Sequence, residues 1–198
     1  MIAMLVVLNT AAFLIEQLDP DRLIGLFALW PATSSSGVPA FHIWQLLTYS
    51  FLHANFMHLA VNMFGLYMFG RDVESTIGRA HLVLLYFTSV LSGALLQLAV
   101  GLADVTVRAP AIGASAGVFG LLVGYALLFP RRRVILLFPP VPMPAWLFAT
   151  CYGVLELVLG VAGAQSGIAH FAHVGGMLGA AVLLLHWMRA PSRERRLE

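Results

Sequence analysis

The chain contains no lysine, a single cysteine and little charge of either sign. Its eleven basic residues are all arginine, set against nine acids, and charged residues make up 10% of the 198. A soluble domain carries about 25%, so too few charges are present to cover an ordinary soluble surface. Cys151, being alone, excludes an internal disulfide and reads as a buried small apolar residue. The first apolar segment, "MIAMLVVLNTAAFLI", has no basic stretch before it and no A-x-A-like site after it, so no cleavable signal peptide is expected. No H-E-x-x-H zinc motif occurs. No internal repeat or low-complexity segment stands out. One domain over residues 1–190 is expected, followed by a short basic tail, 191–198.

Apolar residues fill the space that charge leaves. They account for 60% of the chain, and mean hydropathy is +0.89. A membrane span needs about 20 mostly apolar residues. Six candidates lie near 1–18, 51–70, 81–102, 113–130, 145–163 and 168–188. The expectation is an all-α membrane protein, a six-helix bundle with a central fourth helix. The long first loop, rich in Leu, Phe and Trp, is amphipathic and suited to lie along the membrane interface.

The arginines orient the spans. Arg71 and Arg79 follow span two, Arg131, Arg132 and Arg133 span four, and Arg189, Arg193, Arg195 and Arg196 span six. Only Arg22 and Arg108 fall on the other side. The positive-inside rule makes the arginine-rich side cytoplasmic, with both termini there.

The same arginines serve as a ruler. At about 1.5 Å per residue, Ser115 lies about 24 Å above Arg131 and His173 about 24 Å above Arg189. His58 and Asn62 lie about 20 and about 14 Å above Arg71. Four polar side chains on spans two, four and six thus share the outer half of the membrane. Polar groups there face one another or a cavity. His58 and Asn62 share a helix face, as do Ser115 and Phe119. Gly117, Gly120 and Gly124 form a separate small-residue face of span four. On span six, His173, Gly176 and Ala180 align, and the small residues below His173 would let spans four and six approach.

Serine attacks a carbonyl only when a base takes its proton. Ser115 as nucleophile and His173 as base fit that need. His58, Asn62 and the Ser115 amide could donate to the developing oxyanion. Spans two, four and six offer no acid in their outer part, so a Ser–His pair without an acidic third member is expected. Glu156 in span five is a buried acid with no assigned partner. Glu74, beside Arg71 and Arg79, reads as a local loop contact. Ser34, Ser35 and Ser36 need no role, and His42, His81 and His186 read as interfacial.

Three motifs together resemble the rhomboid intramembrane serine proteases, over nearly the whole chain. "HANFMHLAVN" (53–62) resembles the family's second-span pattern, "GASAGVFG" (113–120) its nucleophile motif, and "AHFAHVGGMLGA" (169–180) its sixth-span pattern. The resemblance implies Ser115 as nucleophile, His173 as general base, and His58, Asn62 and the Ser115 amide as the oxyanion hole. It further implies Phe119 packed under the histidine, supporting roles for Gly113, His53 and Gly176, and a mobile cap near 163–168. Ala116 stands where the family usually has glycine, and Ala180 replaces a second small glycine. His170 also follows an alanine, but the glycine three residues after His173 favours His173.

The activity implied is endoproteolysis of membrane-anchored substrates near the outer face, at small or helix-destabilising residues. The bilayer would be the setting, with no cofactor, metal or nucleic acid, and the compact form suggests a bacterial inner membrane. Two alternatives remain open. One is a metal enzyme or transporter using His53, His58, His170 and His173. The other is a non-catalytic rhomboid-like protein that binds membrane clients.

Overall fold

The computed structural model describes residues 1–32, 37–103, 109–135, 141–163 and 168–189. Outside them fall Ser34, Ser35, Ser36, Arg108, most of the expected cap and the tail with Arg193, Arg195 and Arg196. The chain is mostly helical. In order it forms α1 (Ile2–Glu16), α2 (Pro20–Phe27), α3 (Gln45–Thr48), a short 3-10 turn (Tyr49–Phe51), α4 (Phe56–Ala103) and α5 (Ser115–Leu128). Strands β1 (Arg133–Ile135) and β2 (Pro142–Pro144), α6 (Ala145–Val161) and α7 (His170–Arg189) complete it.

Among the described residues two helices, Phe56–Ala103 and His170–Arg189, are long and apolar enough to cross a membrane, whereas Ile2–Glu16, Ser115–Leu128 and Ala145–Val161 are shorter apolar helices. Large apolar side chains stay exposed on their outer faces, among them Val7, Leu14, Phe56, Val61, Val158 and Val182, and Cys151, expected to be buried, is exposed with them. The inner faces close around Leu5, Leu66, Leu85, Tyr86, Leu121 and Leu184.

The stretch "RDVESTIGR", expected as a loop between spans two and three, is helical. Only Gly78 leaves the helical region (φ 81°, ψ 167°) and divides α4 into two limbs. A positive φ suits glycine, which has no Cβ to clash. Glu74 also reaches further than a local contact. One carboxylate oxygen accepts from the Ile2 amide at 2.9 Å, and the other meets the Met1 amino group at 2.6 Å. The arginine-rich link after α5 is not a plain loop either. β1 and β2 pair antiparallel, Val134 opposite Met143, and Arg132 bonds Asp72 of α4 at 2.6 Å.

The long first loop carries its own structure. Asp19 caps α2 by accepting from the Arg22 amide, and Pro20 occupies the first turn, where its missing N–H costs nothing. Buried Gln45 gathers the loop, its Oε1 accepting from the amides of Trp30 and His42. The loop then holds the segment leading into α5. Leu29 and Ala111 exchange backbone hydrogen bonds at 3.0 and 2.9 Å, and the Gly113 amide donates to Tyr49 O at 2.9 Å. Tyr49 is fixed in turn by its hydroxyl, which donates to Val90 O at 2.8 Å.

α5 packs against α4, α6 and α7. Its glycine face meets the second limb of α4. A methyl on Gly117 would overlap the Tyr86 ring, and one on Gly120 would overlap Ser89. The small-residue face read from the sequence is therefore a helix-packing face, on which backbones approach closely.

Candidate active site

Ser115 is the first residue of α5, a position whose amide has no partner within its own helix. Its side chain is only partly buried. On α7, His173 is nearly buried, and its Nε2 lies 2.7 Å from Ser115 Oγ. That is within the range over which a base can take a hydroxyl proton. Close packing makes the contact possible. A methyl on Gly176, one turn below His173, would overlap the Ala116 carbonyl and come within 3.1 Å of its Cα. Phe119, one turn along α5 from Ser115, stacks on the imidazole with ring centroids 4.6 Å apart and planes 20° apart.

His58 approaches Ser115 beside Gly113. Its Nδ1 accepts from the Ala54 amide at 3.3 Å, which places the ring proton on Nε2. The Nε2 edge lies against Gly113, where an added Cβ would stand 2.8 Å from Nε2 and 3.5 Å from Ser115 Oγ. Gly113 has φ +121°, so both its conformation and its space call for glycine. The missing Gly113 side chain thus lets the His58 donor edge approach the hydroxyl.

The remaining residues are placed as follows. Asn62 is buried, and its amide nitrogen donates to His58 O at 2.9 Å, one turn back in its own helix. That bond engages one N–H of the amide and supports the turn carrying His58. His53 is buried behind His58, edge to face at 5.1 Å between ring centroids. Its amide donates to buried Glu16 of α1 at 3.0 Å. The Ala116 methyl packs towards Gly93 of α4, where a Cβ on Gly93 would stand 2.8 Å from it. It fills the space left by that missing side chain.

One expectation needs correction. An acid does stand with the pair: Glu156 Oε2 of α6 lies 2.8 Å from His173 Nδ1 and 2.7 Å from His170 Nδ1. Counted from Ala145, Glu156 lies about 16 Å up span five, between the heights of Asn62 and His58. Among the described residues, the cluster able to hold a metal ion is Glu156, His170 and His173, with ligand atoms within 4.8 Å of one another. His53 and His58 are not part of it. Gly93 and Tyr49 were also missed, because each works through tertiary contacts that no local spacing announces.

Comparison with known proteins shows what the chain is similar to. The family model of the Rhomboid domain matches residues 40–190. Rhomboid protein 1, mitochondrial, of Saccharomyces cerevisiae is 33% identical over 155 residues, 75% of this chain and 44% of that protein. RHOMBOID-like protein 12, mitochondrial, of Arabidopsis thaliana is 30% identical over 158 residues, 73% of this chain and 45% of that protein. Rhomboid protease GlpG of Yersinia pestis is 25% identical over 189 residues, 91% of this chain and 60% of that protein. The chain spans about half the length of these curated relatives. With the domain match covering most of its length and running through all three motifs, the chain belongs to the rhomboid family.

Proposed function

We propose that this protein is an intramembrane serine endopeptidase in which Ser115 is the nucleophile and His173 the general base. The observation that carries the reading is the 2.7 Å contact between Ser115 Oγ and His173 Nε2, on helices held together through Gly176 and Ala116. Family membership and the name of the GlpG relative support it. As a rhomboid-family chain it is an integral membrane protein. α1, the two limbs of α4, α5, α6 and α7 supply six crossings of one domain over 1–190, with 191–198 as a tail. The arginine distribution supports cytoplasmic termini and a site towards the outer face, and the reading takes the membrane to be a bacterial inner membrane.

In this reading Ser115 Oγ attacks the scissile carbonyl carbon as its proton passes to His173 Nε2. The oxyanion is met by the Ser115 amide and His58 Nε2–H, with Asn62 bracing the His58 turn. His173 then gives the proton to the leaving amine, the C–N bond breaks, and an acyl-enzyme remains. Water repeats the sequence, with its proton taken by His173 and returned to Ser115. Substrates are membrane-anchored proteins whose helices unwind at small residues, because a peptide bond inside a hydrogen-bonded helix is closed to attack.

A fluorophosphonate probe tests the reading. Labelling of the wild type at Ser115, lost in His173→Ala, is expected. Absence of labelling in folded wild type would favour a non-catalytic binding protein. The cluster of Glu156, His170 and His173 keeps a metal reading in view. Activity abolished by a chelator and restored by zinc would favour it.

A further inference from the structure

We propose that Glu156 is a positioning residue for His173, so that the site works as a Ser115–His173–Glu156 relay rather than a pair. The inference rests on the serine-protease reading above. A carboxylate in a span is costly unless it is paired or hydrogen-bonded. Glu156 is 8% exposed, on a helix whose neighbouring residues Leu155, Leu157 and Val158 are 47 to 56% exposed. It is therefore the inward-facing polar residue of an outward-facing apolar stretch.

The local sequence aims it at α7. Gly153 and Gly160 lie three residues before and four after Glu156, on the same helix face. A methyl on Gly153 would lie 3.1 Å from the Met177 methyl, and one on Gly160 3.2 Å from His170 Cβ. These two glycines bring the α6 backbone close to α7 above and below the carboxylate. Its Oε2 then takes both imidazoles, His170 at 2.7 Å and His173 at 2.8 Å.

An ionised carboxylate only accepts hydrogen bonds. Facing Glu156, His173 carries its proton on Nδ1, which leaves the Nε2 lone pair towards Ser115 Oγ. That is the tautomer a general base needs; the other would present an N–H to the serine and could not take its proton. As His173 becomes imidazolium during attack, the Glu156 charge stabilises it. His170, bonded to the same oxygen, keeps the carboxylate in register. Phe119 closes one face of the His173 ring, so the imidazole is fixed in orientation and tautomer together.

A tether role for Glu156 would make a different prediction, since it would act through folding and leave the chemistry of folded molecules intact. The test measures cleavage of a single-span reporter in detergent by wild type, Ser115→Ala, Glu156→Gln and Glu156→Asp, with the thermal midpoint of each. Glu156→Gln is expected to lower kcat on the order of 10²–10⁴-fold with KM changed less than about threefold. Glu156→Asp, which keeps the charge, should recover part of the loss.

Full kcat in Glu156→Gln, beside an inactive Ser115→Ala, would overturn the relay and leave the serine-protease reading standing. Equal cleavage by wild type and Ser115→Ala would instead remove that reading, and the relay with it. A loss in Glu156→Gln explained by the unfolded fraction alone would also overturn the relay. Independent of any variant, 15N spectra of histidine-labelled wild type should show neutral His173 protonated on Nδ1. Protonation on Nε2 would contradict the proposal.

Discussion

His58 stands directly against the backbone of Gly113, with Nε2 2.8 Å from where a Gly113 side chain would begin. Gly113 also holds φ +121°, a backbone conformation that costs other residues about 1–3 kcal/mol. Gly113→Ala should therefore strain the entry to α5 and displace His58. The expected result is a fall in kcat of about tenfold or more, with a lower thermal midpoint. Parallel turnover and melting measurements check it.

Ala116 has the opposite character. Its methyl faces Gly93 of α4. The variant Ala116→Gly should keep activity within about threefold. It should lose about 0.5–1 kcal/mol of stability, the usual effect of glycine in a helix. Chemical denaturation of the purified protein measures the second figure, and reporter cleavage the first.

Gly176 leaves no such latitude, because its neighbour is the Ala116 backbone rather than a movable side chain. In Gly176→Ala the two helices must part, and overpacking of this kind costs about 1–3 kcal/mol. The Ser115–His173 contact would open with them. A kcat loss on the order of 10²-fold is expected, larger than the stability change alone would produce.

Much of this arrangement could be read from the sequence. The arginine ruler put Ser115, His173 and His58 at one depth, and the motif spacings supplied their faces. Phe119 and Gly176 followed from helical periodicity. The placement of Glu156 is not legible in spans two, four and six, because it stands on α6 and its partners His170 and His173 on α7. The helical run through "RDVESTIGR" was hidden because charged residues are compatible with either helix or loop, and a single glycine makes the break. The α1 contact of Glu74 and the filling of Gly93 by Ala116 depend on tertiary packing, which periodicity does not encode.

Glu74, in the charged segment between the two apolar limbs of α4, gives a pH prediction. Burial pushes its carboxyl up, but the Ile2 amide, the Met1 amino group and Arg79 together outweigh this and hold it below its ordinary value. A depressed carboxyl stabilises the fold above its unfolded pKa, and that stabilisation is lost as pH falls through the folded value. The anchoring of α1 should therefore weaken in acid, below about pH 4.5, the ordinary carboxyl value. Glu74→Gln should show less of this acid dependence in thermal melts between about pH 3 and pH 7.

The central claim, that Ser115 cuts peptide bonds with His173 as its base, is tested most directly by cleavage of a single-span reporter in proteoliposomes. Wild type, Ser115→Ala and His173→Ala would be compared at matched folded concentration. The account predicts cleavage by wild type alone, with each variant reduced on the order of 10³-fold or more. Cleavage by folded Ser115→Ala at the wild-type rate would contradict it.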